Sequence, residues 1–450
     1  MSLTDTCSRL QISRVVLVAI LALSWQPATH ASLARRVVGN LVFWDQGRGF
    51  DAIVANADVF SEISPFWYHI DASGDVLPYT TPSGTSYEDP TILSFLKARG
   101  ILVIPTVANA VNGVWDGPLV SGVIANSAPA TVNINKLVQL AVVNGYDGID
   151  LDYENLAASD RTAYSAFVGQ LAAALHARGK RLTVNVYAKT SEPGTWAGPQ
   201  AQDWWAIGQA ADEVRIMTYE YHWATSSPGP IAPIGWVNSV LAFARSLMSA
   251  QKIVHGVPLY GYDWIGQSGV DHVWAETMGL ASQHAAVINW DPGSASPWFE
   301  YLVNDTRHTV WFENGASTDV KLQSTNVYDV GGVTVWRIGG EDPASWSALR
   351  SHFGSAAARL DPTPPTVALV SPLNGAALAR KQRIEALASD NIGVVRVEFS
   401  VNGARLATDT TAPYVVTWNT ERVARGTYVI QALAYDASGN SAAATVTTHR

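Results

Sequence analysis

The chain has 450 residues, a formal net charge of −9, 48% hydrophobic residues and 15% charged residues. This composition excludes a disordered chain, and the length suits one large barrel with a smaller module rather than a single ordinary core. The acidic balance and the dispersed Lys and Arg residues argue against a nucleic-acid partner. The one cysteine, Cys7, lies near the N-terminus. Disulfides, a thiol nucleophile and cysteine zinc sites are therefore not expected in the mature protein.

The first residues have the features of a secretory signal peptide. Arg9 and Arg14 give a positive start, and the apolar run 15–23 is too short to span a bilayer. Ala31 provides a small residue before the cut. The sequence therefore predicts a signal peptide over 1–31, with export to the periplasm or the outside of the cell and no membrane attachment afterwards. An uncleaved anchor is the weaker alternative.

Strands and helices alternate through most of the remaining chain. Apolar runs rich in β-branched residues predict strands at 37–44, 59–70, 101–107, 146–155, 182–187, 214–219, 253–259 and 332–336. Periods of 3.6 residues with capping signals predict helices at 90–99, 131–144, 159–178, 204–211, 234–249 and 343–353. Eight strands alternating with helices predict an α/β fold, a (β/α)8 TIM barrel over 32–358. The alternation of strands and helices is interrupted over about 263–330, which predicts a small subdomain inserted between strands seven and eight.

The fourth predicted strand has one acidic face. Asp150, Asp152 and Glu154 alternate with apolar residues, so period-2 geometry places the three carboxylates on the same side. A parallel strand in a barrel is covered on both faces, so these carboxylates would share a confined space and at least one pKa must rise. Such crowding costs stability and is typical of a catalytic site. The alternatives are a structural or a metal-binding acidic strand, although the spacing does not follow a calcium-loop pattern.

Further candidate residues stand at the ends of other predicted strands. Tyr219 and Glu220 end strand six, Tyr260 and Tyr262 follow strand seven, and Trp336 ends strand eight. Each aromatic residue taken alone is as consistent with core packing as with function. Their shared position at strand ends favours a site, because catalysis in a TIM barrel takes place at the carboxyl-terminal ends of the strands.

The composition changes near residue 360. The segment 359–365 contains Asp-Pro-Thr-Pro-Pro and reads as a stiff linker. Short alternating segments follow at 366–370, 383–388, 394–401, 414–418 and 427–435, separated by Asn-Gly and Ser-Gly turns. This pattern predicts an all-β sandwich of immunoglobulin type over 366–450.

The motifs together resemble glycoside hydrolase family 18, the chitinase-type barrels, over about 37–353. The segment 147–154 matches the strand-four signature of three aspartates and a glutamate, 216–219 is similar to the strand-six motif, and Val335-Trp336 resembles the strand-eight tryptophan. The insertion resembles the small α+β subdomain that many members carry. Within the family, the resemblance is strongest to the spore-germination and cell-wall N-acetylglucosaminidases. The tail resembles the bacterial immunoglobulin-like modules of secreted hydrolases.

The resemblance implies a role for each catalytic candidate. Glu154 would protonate the glycosidic oxygen and later deprotonate water, while the substrate's own acetamide attacks the anomeric carbon with net retention. Asp152 would orient the acetamide, and Asp150 would share a proton with Asp152. Tyr219 would donate a hydrogen bond to the acetamide oxygen. The candidate substrate-binding residues are Trp336, Asp147, Glu220, Tyr260 and Trp44.

Two positions depart from the family pattern. The family usually has Asp after the strand-six tyrosine, where this chain has Glu220, and often has Tyr after the strand-one glycine, where this chain has Asn40. The extra methylene of Glu220 could shift a substrate contact. A nearby aromatic residue such as Phe43 or Trp44 is the candidate to compensate for Asn40.

The sequence therefore predicts a secreted glycosidase for β-1,4-linked N-acetylglucosamine-containing polysaccharide, with peptidoglycan favoured over chitin. We expect a monomer that needs no cofactor and no metal. The ten His residues show no His-Glu-x-x-His spacing, and no Gly-x-Ser-x-Gly elbow of a serine hydrolase is present. Two alternatives stay open. One is a chitinase acting on chitin oligomers, and the other is a non-catalytic carbohydrate-binding barrel.

Overall fold

The computed structural model describes residues 35–354, 363–390, 393–436 and 440–450. The predicted signal peptide over 1–31 and the first part of the predicted linker, 359–362, lie outside the described residues. Among the described helices, none is long and apolar enough to cross a membrane.

Eight parallel strands close into a barrel. They are β1 (Arg36–Val42), β2 (Glu62–Ile70), β3 (Leu102–Val103 and Thr106–Ala108), β4 (Gly148–Asp152), β5 (Arg181–Tyr187), β6 (Glu213–Met217), β7 (Ile253–Pro258) and β8 (Gly332–Trp336). Each strand pairs in parallel with the next, and β1 pairs with both β2 and β8. The predicted TIM barrel is confirmed, and each predicted barrel strand coincides with or overlaps an observed one.

Eight helices follow the strands around the barrel. They are α1 (Gln46–Ala55), α2 (Pro90–Ala98), α3 (Ser127–Val143), α4 (Arg161–His176), α5 (Trp204–Ala210), α6 (Ile234–Leu247), α7 (Gly315–Val327) and α8 (Pro343–Phe353). Short additional helices span Gly117–Ile124 and Ala197–Ala201. At α2, the Asp89 side chain accepts a hydrogen bond from the Thr91 N–H and Pro90 occupies the first turn, as the sequence predicted.

Two barrel helices were missed by the sequence analysis. Helix α1 contains Gly47 and Gly49, which weaken a helical signal, although Gly49 lies in a tight place where a Cβ would be 2.5 Å from Leu41 Cδ1. Helix α7 buries mainly small polar residues, such as Ser317 and Thr318, so it lacks an apolar period. Since α7 belongs to the barrel, the inserted subdomain is shorter than the predicted 263–330.

The inserted subdomain follows β7. Its strands Ser268–Val273, Tyr260–Ile265, Thr306–Phe312, Ser296–Val303 and Asn289–Asp291 form one antiparallel sheet in that spatial order. Phe299, Val310 and Phe312 pack with Ala281 of the helix Trp274–Gln283 on one face of this sheet. The α+β character implied by the family resemblance is therefore observed.

The C-terminal region forms two antiparallel sheets. Strands Thr366–Ser371, Lys381–Ser389 and Tyr414–Asn419 make one sheet, and strands Ala404–Asp409, Val394–Val401, Thr427–Asp436 and Ser441–His449 make the other. A separate core that includes Ile384, Phe399 and Ile430 lies within this region. The predicted immunoglobulin-like sandwich is confirmed as an all-β domain with its own core.

Candidate active site

The acidic face of β4 points into the barrel. Asp150 is fully buried, Asp152 is 5% exposed, and Glu154 lies just beyond the strand end, partly buried. Gly148 lets β4 approach β5, because a Cβ at this position would lie 2.3 Å from the carbonyl oxygen of Arg181. The structure therefore brings together the three carboxylates that the period-2 pattern placed on one face.

Asp150 is held as an acceptor on both oxygens. Its Oδ1 accepts a hydrogen bond from Thr183 Oγ1 at 2.6 Å and lies 3.1 Å from Nη1 of Arg215. Its Oδ2 accepts hydrogen bonds from Thr106 Oγ1 at 2.8 Å and from Asn185 Nδ2 at 2.9 Å. Burial raises the pKa of Asp150 to about 6, and the hydrogen bonds oppose this rise. With three hydrogen-bond donors and a guanidinium contact, the carboxylate is fitted to its ionised form at neutral pH.

Asp152 differs from Asp150 in having an unpaired oxygen. Among the described residues, no group forms a hydrogen bond with its buried Oδ1. Burial raises the pKa of Asp152 well above its ordinary value, and the charges of Glu154 and Asp150 raise it further. Since three donors and the Arg215 guanidinium favour the ionised form of Asp150, the proton that relieves the crowding belongs on Asp152 or Glu154.

Two residues that the sequence analysis did not single out hold Glu154 in place. Tyr187 Oη donates a hydrogen bond to Glu154 Oε2 at 2.6 Å. The Asn109 side chain accepts from the Glu154 N–H at 2.8 Å and donates to its carbonyl oxygen at 2.9 Å. Burial raises the pKa of Glu154 to about 7, the Tyr187 hydrogen bond lowers it, and the charge of Glu220 raises it. A carboxyl group with this pKa can give a proton and take one back near neutral pH.

Glu220 is turned toward the inserted subdomain. Its carboxylate accepts hydrogen bonds from Tyr260 Oη and from Tyr262 Oη, the latter at 3.1 and 3.3 Å. Glu220 adopts a φ of 60°, which is uncommon for a residue with a side chain. Glu220 and Tyr219 line the cavity, whereas Tyr260 is 9% exposed and acts on Glu220 rather than lining the cavity itself.

A cavity of about 1050 Å³ opens above these carboxylates, at the carboxyl-terminal ends of the strands. Its walls carry many aromatic side chains, namely Trp115, Tyr187, Trp196, Trp223, Trp236 and Trp336. The flat, apolar face of such a ring suits the face of a sugar ring, and the carboxylates supply the polar contacts.

Asn40, a departure from the family pattern, lies on β1, and Trp44, a candidate to compensate for it, follows this strand. Asn40 Nδ2 donates to Thr334 Oγ1 and to the Val335 carbonyl oxygen, both at 2.8 Å, so it ties β1 to β8 beneath the cavity. Trp44 is 51% exposed, and its ring centroid lies 6.4 Å from that of Trp336. Trp44 thus stands at the rim beside Trp336, where it can extend the aromatic surface.

Asp147, a predicted substrate-binding residue, lies at the end of the barrel opposite to the cavity. It precedes β4 at the amino-terminal end of the barrel, where its Oδ2 accepts a hydrogen bond from the Val103 N–H at 2.8 Å. The cavity opens at the opposite end of the strands. The prediction that Asp147 binds substrate is therefore wrong, and Asp147 instead joins β3 to β4.

Comparisons with known proteins agree with this architecture. Residues 110–341 match the model of glycosyl hydrolases family 18, and residues 365–432 match that of a bacterial Ig domain. The chain is 32% identical over 256 residues to the cortical fragment-lytic enzyme of Bacillus anthracis, an alignment that covers 55% of this chain and 59% of that protein.

Two solved structures are also similar. A chitinase from Chromobacterium violaceum ATCC 12472 shares 31% identity with a TM-score of 0.66, covering 71% of this chain and 99% of that one. The spore cortex-lytic enzyme SleL of Bacillus cereus shares 26% identity with a TM-score of 0.65, covering 72% of this chain and 75% of that one.

Proposed function

The chain belongs to glycosyl hydrolase family 18, and from that premise we propose that it hydrolyses β-1,4 bonds in N-acetylglucosamine-containing polysaccharide, with peptidoglycan as the favoured substrate. The reaction proceeds with retention, and the 2-acetamido group of the substrate is the nucleophile. One observation carries this proposal. A buried carboxylate oxygen without a partner, Asp152 Oδ1, lies beside an acid, Glu154, whose pKa is raised to about 7.

In the first step, protonated Glu154 gives its proton to the glycosidic oxygen while the carbonyl oxygen of the acetamide attacks the anomeric carbon. The bond to the leaving sugar breaks, and an oxazolinium ion forms. Asp152 lines the cavity, and its carboxylate accepts the acetamide N–H, which orients the nucleophile and stabilises the positive charge that develops on it. Asp150, fixed by three hydrogen-bond donors, adds a second negative charge near the positive charge that develops on the oxazolinium ion.

In the second step, water attacks the anomeric carbon from the side that the leaving sugar vacated. The Glu154 carboxylate takes a proton from this water, and the oxazolinium ring opens to restore the acetamide. Two inversions at the same carbon give net retention, and Glu154 ends the cycle protonated. Tyr219, which lines the cavity, donates a hydrogen bond to the acetamide oxygen, and Trp336 forms the apolar floor under the reacting sugar.

The choice of substrate rests on relatives. The similarity to a cortical fragment-lytic enzyme and to a spore cortex-lytic enzyme supports peptidoglycan. The similarity to a chitinase over 99% of its length supports chitin as the second candidate. A non-catalytic sugar-binding barrel is disfavoured because Glu154 lies in the cavity rather than on the barrel exterior. On the basis of the signal-like segment 1–31 we also propose that the enzyme is exported from the cytoplasm.

Product analysis by mass spectrometry tests the proposal. The mature protein and its Glu154→Gln variant are each incubated with peptidoglycan and with chitin oligosaccharides. We expect fragments with N-acetylglucosamine at the new reducing end, released from peptidoglycan and absent with the variant. Release from chitin alone would establish the chitinase alternative. Binding without products from either polymer would contradict the proposed catalysis.

A further inference from the structure

Trp196 occupies a distinctive position at the mouth of the barrel. It follows β5, whereas Trp44 follows β1, and in a closed sheet of eight strands β1 and β5 face each other across the mouth. Trp336 ends β8, which is the neighbour of β1, so Trp336 lies on the same side of the mouth as Trp44. Glu154 follows β4, which is the neighbour of β5, so Glu154 lies on the same side as Trp196. The acid therefore stands between two aromatic surfaces.

The indole of Trp196 is available to a ligand. It is 46% exposed and lines the same cavity as Glu154. Its ring packs at 4.5 Å, centroid to centroid, against Tyr187, the residue whose hydroxyl donates to Glu154 Oε2. A sugar whose glycosidic oxygen reaches Glu154 from the Trp336 side would continue, beyond the bond, toward Trp196.

The neighbouring backbone is fitted to this indole. A Cβ at Gly198 would lie 2.4 Å from Trp196 Cζ3 and 2.7 Å from Tyr187 Cε2, so only glycine allows both rings to keep their places. The segment that carries Trp196 is anchored at both ends. Buried Lys189 donates to the carbonyl oxygen of Pro199 at 3.0 Å, and the guanidinium of Arg161 contacts the carboxylate of Glu192 at 2.9 Å.

We propose that Trp196 is the binding platform for the sugar on the leaving-group side of the scissile bond, so that polysaccharide is held on both sides of Glu154 and cut at internal bonds. This inference rests on the proposed function and specifies its mode of cutting. A rigid aromatic platform binds with little loss of conformational entropy, which suits a residue that must receive successive sugars.

The test compares Trp196→Ala with Trp205→Ala. Trp205 is 59% exposed on α5 and is not among the cavity-lining residues, so it is a matched control for loss of an exposed indole. Two substrates separate the roles. The β-1,4-linked N-acetylglucosamine hexasaccharide can fill both sides of the site, whereas the glycosyl fluoride of the corresponding disaccharide places no sugar on the leaving-group side.

For Trp196→Ala we expect kcat/KM on the hexasaccharide to fall by about tenfold, mainly through KM, as for the loss of one aromatic contact. The fluoride and the Trp205→Ala control should stay within about twofold of wild type. Equal losses on both substrates would show that Trp196 acts only by supporting Tyr187 and would overturn the platform. Release of terminal sugars alone by the wild type would also overturn it.

Binding to catalytically disabled protein keeps this inference separate from the proposed function. In a Glu154→Gln background, calorimetry with the same hexasaccharide should show weaker binding after Trp196→Ala and unchanged binding after Trp205→Ala. If the wild type proved inactive while this difference persisted, the proposed function would fail and the platform would stand. If binding did not depend on Trp196, the platform would be refuted whatever the activity.

Discussion

The two ends of the barrel bury carboxylates in opposite ways. At the amino-terminal end, Glu62 and Glu213 are fully buried and contact the guanidinium groups of Arg36, Arg181 and Arg215. The Arg36 Nε to Glu213 Oε1 distance is 2.8 Å. Among the described residues, every one of these charges has a partner of opposite sign. This end is a paired ionic network, which fixes the positions of four strands.

At the carboxyl-terminal end, Asp152 and Glu154 have no cation beside them within the part of the chain that the structure describes. Burial raises the pKa of both groups, and a neighbouring negative charge raises each further, that of Glu154 for Asp152 and that of Glu220 for Glu154. Asp150 shares features of both ends. Nη1 of Arg215 lies 3.1 Å from its Oδ1, and Asp152 follows it on the same face of β4. Burial alone therefore does not mark a catalytic carboxylate in this barrel. The two carboxylates to which we assign the proton transfer and the acetamide contact are buried without a counter-charge, which leaves their protonation state open to change near neutral pH.

Glu154→Gln is expected to produce the largest effect. Turnover should fall by about 10²- to 10⁴-fold, because glutamine cannot transfer a proton to the leaving oxygen. The fold should be kept or stabilised at pH 7. The folded-state pKa of Glu154 is raised from 4.5 to about 7, so its ionisation opposes folding as pH rises through that window, and the variant removes this opposition. Steady-state kinetics and thermal unfolding measure the two quantities. Near-wild-type turnover would refute the assigned acid.

Glu62→Gln makes the same chemical change at the other end of the barrel and should have the opposite consequence. It leaves Arg215 buried with less compensation, which should lower the free energy of unfolding by about 3–5 kcal/mol. Because Glu62 is remote from the cavity, kcat of the protein that remains folded should be close to wild type. Urea unfolding and active-site-normalised kinetics measure both. A loss of turnover without a loss of stability would abolish the distinction between the two ends.

Tyr187→Phe should shift the alkaline side of the pH profile of kcat/KM rather than abolish activity. The hydroxyl of Tyr187 donates to Glu154 and lowers its pKa. Without it, the pKa of Glu154 should rise above about 7. In the proposed mechanism the protonated acid is the active form, so the decline of kcat/KM on the alkaline side should shift to higher pH. An unchanged alkaline limb would show that another group controls it.

Removal of everything after Leu360 should have the smallest effect. The C-terminal sandwich has a core of its own, distinct from the barrel core. The shortened protein should stay folded and should hydrolyse soluble oligosaccharides at the wild-type rate. Circular dichroism and kinetics on a soluble substrate test this outcome. Aggregation or collapse of the barrel would show that the two regions depend on each other for folding.

Features of the barrel that depend on neighbouring residues in the chain were predicted correctly from the sequence. Strict alternation identified Asp150, Asp152 and Glu154, and strand β8 and helix α8 begin and end at the predicted residues. The attempt to include Asp147 failed because that residue precedes the alternating segment and belongs to the opposite end of the strand. The predicted fifth strand ended at Tyr187. The reasoning that selected Tyr219, an aromatic residue at the end of a predicted strand, would also have selected Tyr187.

Other features depend on contacts between distant parts of the chain. Asn109, the residue that follows β3, contacts Glu154 although the two are 45 residues apart in sequence, and the sequence around Asn109 does not predict this contact. Asp150 is contacted at 3.1 Å by Arg215 of β6, and the sequence around Arg215 does not indicate this contact. The pairing of Glu62 with Arg215 spans 153 residues. Such partners follow from barrel closure, which a local pattern does not specify.

The most direct test of the account is the anomeric configuration of the first product. Proton NMR would follow the wild-type enzyme cutting a soluble glycan, with spectra recorded before the released sugar mutarotates. If Asp152 orients the substrate's acetamide and Glu154 serves as acid and then base, the new reducing end appears first as the β-anomer. Initial appearance of the α-anomer would mean that water attacks directly, and it would contradict the roles assigned to both carboxylates.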